Sequence, residues 1–385
     1  MTDNPERHGP FIPFNRASFV GREEEYVRQA LAAGHISGDG AFTKACNTEL
    51  STVLAGAPVL LTTSCTHALE LAALLIGIKP GDEVILPSFT FVSTANAFAL
   101  RGARLRFADI RPDTLNVDPG ALAAQLGPQT VAVVVVHYAG VACDIDAVSE
   151  IAAGHGAAVV EDAAHAIGAS HRGRPLGTMG RFAALSFHET KNLTCGEGGA
   201  IVLNDAADLE RAEIVREKGT NRARFFRGQV DKYTWVDLGS SYLPSDILAA
   251  ILLGQLEHRE EIQARRLQIW ERYRAELADW ALENGVQLPH VPAETIHPGH
   301  IFYMLLPDAE CRARMIRHLR SQNILAVFHY VPLHLSPMGL RHGGQPGACP
   351  VTESVSERLV RLPLFYSLTP GDQSRVISAV REFST

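Results

Sequence analysis

Between Val59 and Asp205 the chain repeats one pattern, a short uninterrupted apolar run rich in β-branched residues followed by an alanine- and leucine-rich stretch of helical character. VLLTTS (59–64) leads into THALELAALLIGI, EVILPSF (83–89) into VSTANAFALRG, and ARLRFADI (103–110) into a turn and DPGALAAQL. VAVVVVHYAG (131–140) precedes IDAVSEIAAGHG, AAVVEDA (157–163) precedes a glycine-rich loop, and FAALSF (182–187) and GAIVLND (199–205) close the series. Strands that are apolar on both faces and separated by helices predict an α/β fold with a mostly parallel seven-stranded sheet covered on each side.

Past Leu209 the texture changes. Residues 245–280 read as one long helical segment whose charged second half suits a surface or interdomain position. Beyond it HIFYMLL and ILAVFHYVP flank the helical ECRARMIRHLRSQ, and two more helices follow Cys349, which reads as a small α+β domain. A chain of 385 residues exceeds the size at which single cores stop growing. The division expected is a large domain over 12–245, an interdomain helix over 246–280 and a small domain over 281–385.

Composition narrows the partners. Apolar residues make up 46% and charged residues 20%, the balance of an ordinary globular chain. A formal net charge of -7 argues against general binding to nucleic acid or anionic membrane, so an anionic small molecule would need its own local site. The six cysteines, Cys46, Cys65, Cys143, Cys195, Cys311 and Cys349, show no C-x-x-C pair and no disulfide rhythm, which suits reduced thiols. The opening MTDNPERHGPFIPFNR has no apolar leader core, and no later run is long enough to span a bilayer; the expected location is the cytoplasm.

In open α/β sheets ligands sit beyond the carboxyl ends of the strands. Four such ends carry chemistry. Ser64-Cys65-Thr66 opens a helix whose free N–H groups suit an anion, Ser88 to Phe91 offers an aromatic face, Glu161-Asp162 ends an apolar run with acid, and His188 and Lys191 follow FAALSF. Taken singly each has an ordinary explanation: a helix cap, a core aromatic, a loop cap, a lysine snorkelling to solvent. Together they match what pyridoxal 5'-phosphate (PLP) demands. Its phosphate needs N–H donors, its ring a stacking partner, its pyridine nitrogen an acid, and its aldehyde an amine; Ser186 can add a hydroxyl at the phosphate. No G-x-G-x-x-G follows a strand and no H-E-x-x-H or paired Cys/His spacing occurs, so nicotinamide and metal chemistry lack their signatures.

The succession GDEVILPSFTFVSTANAF, VVEDAAHAIGA and SFHETKN resembles the sugar aminotransferases of the DegT/StrS type, a fold-type I PLP family, with the resemblance running from about Phe14 to the carboxyl terminus. More narrowly, FNRASFVG, SGDGAFTKAC, TTSCTHALE, VHYAGVACDID, REKGTNRARFFRGQVDKYTW and FHYVPLH look like the branch that makes dTDP-4-amino-4,6-dideoxygalactose for enterobacterial common antigen. The resemblance implies Lys191 as catalytic amine and covalent tether, Asp162 on the pyridine nitrogen, and His165 beside the ring hydroxyl where many relatives carry Gln. It implies Phe91 on the ring face, and the Cys65 N–H, Thr66 and Ser186 at the phosphate. It also implies L-glutamate and a dTDP-linked keto sugar as substrates and a homodimer with its site at the interface.

One departure stands out. Many relatives have G-x-N-x-R where this chain has Gly239-Ser240-Ser241-Tyr242-Leu243, so Ser241 takes the place of the asparagine that reaches the partner's phosphate. For the sugar nucleotide the candidates are Lys218, Arg222 and Lys232 in a loop over 216–235 that also holds Arg224 and Arg227, with His329 and His334 of FHYVPLH. A solvated face is the ordinary alternative for the loop, and core or surface positions for the histidines. Competing readings are amination of a different keto sugar, desulfuration through Cys195, and a non-catalytic regulator on the same scaffold; a dehydratase of this fold carries histidine in place of the lysine, and the intact Lys191 argues against it.

Overall fold

A computed structural model describes residues 9–384. The extreme amino terminus, on which part of the leader reading rests, lies outside them. In chain order the strands are β1 Val59–Thr62, β2 Glu83–Pro87, β3 Arg104–Ala108, β4 Thr130–Val136, β5 Ala158–Asp162, the short β6 Ser170–His171 and β7 Arg174–Pro175, β8 Phe182–Ser186, β9 Gly199–Leu203, the short β10 Thr295–Ile296, β11 Phe302–Leu305 and β12 Leu359–Leu362.

Seven of them form one sheet in the order β1-β9-β8-β5-β4-β2-β3. β9 is antiparallel to both neighbours, and the other pairings are parallel. The apolar runs account for this directly. Val133 to Val135, Ala183 to Leu185 and Ala200 to Leu203 are all buried, alternately against the Cys65–Ile76 helix on one face and the amino-terminal or Ile145–Ala153 helices on the other. Each fully buried Val or Leu contributes about 1.5–3 kcal/mol relative to exposure, enough to fix the register without polar pairing.

The long helical segment expected over 245–280 is two helices, Asp246–Glu257 and Arg259–Glu283, broken at His258. The first is apolar nearly all round and packs Ala249, Leu252 and Leu256 with Tyr26 and Leu50 of the helices Glu23–Ala33 and Ala41–Val53. The second leaves that core at Ile262 and enters a separate one through Trp270, Tyr273 and Leu277. This carboxyl-terminal core also holds β11, β12 and the helices Ala309–Ser321 and Pro370–Arg381. Two features were not anticipated. LVRL (359–362) is a strand paired antiparallel with β11, where only helices were expected after Cys349. Ile12, assigned with the large domain, is buried in the carboxyl-terminal core and bridges Ile324.

Candidate active site

Because β1, β2, β5 and β8 run the same way, the residues that follow them meet at one edge of the sheet. There they line a cavity of about 490 Å3 that takes in Cys65, Thr66, Phe91, Asp162, His165, Ser186 and Lys191.

At the end of β1 the Ser64 hydroxyl accepts from the His67 N–H, and its carbonyl accepts from Ala68, capping the Cys65–Ile76 helix. The N–H groups of Cys65 and Thr66 precede the first intrahelical bond and are the open donors of this terminus. Thr66 Oγ1 donates to Ser93 at 2.7 Å. The Cys65 thiol is pushed well up by burial, so it stays protonated and unreactive.

Glu161 and Asp162 sit next to each other on β5, and strand alternation sends them to opposite faces. Glu161 is fully buried and taken up by His137 Nε2 at 2.9 Å and by the N–H groups of Gly177, Met179 and Gly180. Asp162 faces the cavity, accepting from Thr94 Oγ1 at 2.7 Å and from the Ala164 N–H at 3.2 Å. Burial raises its pKa, against the pull of the Thr94 hydroxyl and the Lys191 charge. One acid is structural and the other is free to meet a ligand.

β8 ends at Ser186, and a tight loop returns the chain to β9. The Phe187 N–H donates to Gly198, the Glu189 N–H to Gly196 and the Lys191 N–H to His188. Gly196 takes a positive φ of 87°, the left-handed region that glycine enters without strain. Gly199 has a different reason: a Cβ there would lie 2.2 Å from the Ser64 carbonyl carbon and 2.3 Å from the Cys65 nitrogen. Burial lowers the pKa of the Lys191 amine to about 8, partly opposed by Asp162. His188 bonds Thr190 and lies 3.6 Å from Glu197, so it braces this loop.

The remaining lining comes from distant parts of the chain, and sequence reasoning missed most of it. Phe14, His300, Tyr330 and Arg361 join His329 here. The His165 ring lies 4.3 Å from that of His300, tilted against it, and the His300 ring bonds Asn192, while His329 stacks at 4.0 Å on Tyr330. Burial holds His165, His300 and His329 neutral by lowering their pKa values. The one available signal for Arg361 was a lone charge inside the apolar run LVRLPLF.

Other candidates lie elsewhere. His334 is buried outside the cavity, bonded to Ser88 at 2.6 Å and Glu353 at 2.9 Å, so its ring is already committed. Lys218 and Arg222 both pair with Glu217, Arg224 with Glu210 and Arg227 with Glu213, leaving the loop neutralised along much of its length; Lys232 is exposed. Ser241 is exposed and bridges Glu217, away from the cavity of its own chain. Cys195 is buried with its thiol pushed up to about 12, which removes the nucleophile that desulfuration requires. Among the described residues no cluster suits a metal ion and no helix is long and apolar enough to cross a membrane.

The donor set fits pyridoxal phosphate: an open helix terminus with a nearby hydroxyl, a half-exposed aromatic ring, a buried carboxylate with one side engaged, and a lysine of depressed basicity. Comparison with known proteins agrees. The model of the DegT/DnrJ/EryC1/StrS aminotransferase family matches residues 18–381. The spore coat polysaccharide biosynthesis protein SpsC of Bacillus subtilis is 33% identical over 98% of both chains. Among solved structures, the aminotransferase TlmJ from Streptoalloteichus hindustanus is 33% identical with a TM-score of 0.88, over 96% of this chain and 98% of that one. Spr1654 from Streptococcus pneumoniae, solved in its PMP form, is 25% identical with a TM-score of 0.89 over 96% of this chain and 98% of that one.

Proposed function

The chain belongs to the DegT/DnrJ/EryC1/StrS aminotransferase family, and from that membership we propose that it is a PLP-dependent sugar-nucleotide aminotransferase. It moves the amino group of L-glutamate to C4 of a nucleotide-linked 4-keto-6-deoxy sugar. The pair assigned is dTDP-4-keto-6-deoxy-D-glucose and dTDP-4-amino-4,6-dideoxy-D-galactose, with 2-oxoglutarate released, for a surface polysaccharide of the enterobacterial common antigen type. The observation that carries the chemistry is the meeting of Lys191, Asp162 and the Cys65–Thr66 helix terminus in one cavity. The sugar assignment rests on the resemblance of the amino-terminal, 216–235 and FHYVPLH segments to that branch, and the SpsC likeness supports polysaccharide synthesis.

Lys191 would hold the cofactor aldehyde, Asp162 the ring nitrogen, His165 the ring hydroxyl, Phe91 the ring face, and Cys65, Thr66 and Ser186 the phosphate. Bound there, the cofactor supplies an electron sink for the carbon that carries the nitrogen. An amine that titrates near 8 can both take and give a proton at physiological pH. Lys191 Nζ therefore takes a proton from the α-carbon of glutamate and later delivers one to C4 of the sugar. Asp162, buried and fixed by Thr94 and Ala164, keeps the proton of the ring nitrogen in place. Both half-reactions share one cavity and so follow ping-pong kinetics.

The working unit is a cytoplasmic homodimer. Phe226, Tyr233, Trp235 and Leu238 are all more than half exposed along one loop, an apolar row that supports burial against a second copy. In such a pair Ser241 and the cations of 216–235 would serve the partner's site. The test is product NMR after incubation with glutamate and a panel of 4-keto and 3-keto sugar nucleotides. A 4-amino galacto product is expected; amination at C3, or gluco configuration, overturns the substrate assignment.

A further inference from the structure

Among the described residues, Arg361 is a buried charge to which the chemistry above gives no role. It lies on β12, is only 5% exposed, and still lines the cavity. No carboxylate of the described residues pairs with it. Its Nη1 reaches the His329 ring, its guanidinium lies 4.5 Å from the centre of the Phe14 ring, and its Nε is buried without a partner. Burial works against its charge, yet guanidinium does not deprotonate in proteins. A buried cation held only by rings and a neutral imidazole is stable when an anion arrives to complete it.

Three anions enter such a site. The cofactor phosphate has its own donors at the Cys65 helix terminus. The diphosphate of a sugar nucleotide hangs from C1, across the ring from the reacting C4, so it lies a sugar's width from the lysine that acts on C4. The α-carboxylate of an amino acid is one bond from the carbon that exchanges nitrogen. Arg361 is near enough to Lys191 for its charge to help lower the lysine's pKa, and its unpartnered Nε beside Nη offers the planar fork that matches a carboxylate.

We infer that Arg361 receives the α-carboxylate of the amino donor. This rests on the aminotransferase reading above and assigns the donor subsite within it. His329 and Phe14 position the guanidinium, and Tyr330 backs His329 through its stacked ring. The keto sugar carries no carboxylate, so Arg361 separates the two half-reactions: it holds a substrate in one, and in the other acts only through its charge beside Lys191.

The test measures each half-reaction of the holoenzyme alone by the change in cofactor absorbance, and binding of glutarate, an unreactive dicarboxylate, by calorimetry. In Arg361→Met the L-glutamate half-reaction and glutarate affinity should both fall roughly a hundredfold, the scale of a lost charged fork. The half-reaction with the dTDP-amino sugar should fall at least tenfold less, since only the loss of the Arg361 charge beside Lys191 touches it. Arg361→Lys, which keeps the charge but not the fork, should recover part of the loss; if the Met variant does not fold, a tenfold weaker glutarate affinity in the Lys variant is the expected result. Unchanged glutarate binding in both variants, or loss confined to the amino sugar half-reaction, overturns the assignment. If the wild type aminates none of the sugars yet binds glutarate through Arg361, the substrate proposal fails and this one stands.

Discussion

Replacing Gly199 with alanine tests whether the sheet sets the cofactor's anion site. The added Cβ would lie 2.2 Å from the Ser64 carbonyl carbon and 2.3 Å from the Cys65 nitrogen, while unstrained carbon contacts begin near ~3.5 Å. Both obstacles are backbone, so β9 and the helix terminus must part by about 1 Å. Overpacking of this kind costs about 1–3 kcal/mol of stability. The functional loss is larger, because a shift of about 1 Å takes a donor out of the roughly 2.7–3.2 Å hydrogen-bond window. Losing one charged contact at about 1.5–3 kcal/mol weakens PLP binding by roughly ten- to a hundredfold. The control is Gly196→Ala, where the positive φ makes alanine strained by about 1–2 kcal/mol but no atom lies within 4 Å. Titration of each apo protein with PLP by visible absorbance, with melting curves on the same samples, separates the two effects. Wild-type affinity in Gly199→Ala, or an equal loss in Gly196→Ala, would refute the reasoning.

Three further outcomes follow from the site. Cofactor capture by the apo protein should accelerate as pH rises through about 8, where burial places the Lys191 amine, and Asp162→Asn should move that midpoint down by removing the anion that favours the charged form; a wild-type midpoint near ~10.4, the value of free lysine, would contradict the burial argument. Asp162→Asn should also lower turnover by roughly a hundred- to ten-thousandfold, the range for losing a proton-holding group at a reaction centre, with PLP still bound as judged by absorbance. His334→Ala should lose about 1–3 kcal/mol in urea melts, because Ser88 and Glu353 lose their partner, with the KM for the sugar nucleotide unchanged; a raised KM at wild-type stability would place the histidine back in the substrate pocket.

The sheet and half of the cavity were legible because their signals are local. An apolar run of five residues announces a buried strand, and the residue after it falls at the ligand edge whatever the rest of the chain does; Lys191 and Asp162 follow from that rule. Gly196 and Gly199 looked alike in sequence, and only the approach of β9 to the helix terminus separates a turn from a close contact. The Arg361 wall was not legible, because its residues lie far apart in the chain and meet through β11, β12 and the carboxyl-terminal core. Missing β12 as a strand meant missing the arginine on it. His334 erred the other way: it shares a motif with His329, but a turn at Leu333–Leu335 sends its ring inward to Ser88.

The most direct measurement is borohydride reduction of the PLP-loaded protein followed by peptide mass mapping. The chain has five lysines, Lys44, Lys79, Lys191, Lys218 and Lys232, so the attachment point is unambiguous. The account predicts a single stable cofactor adduct on the peptide carrying Lys191, lost when glutamate is added before reduction. An adduct spread over the other lysines, or a Lys191 peptide that stays unmodified, would contradict it.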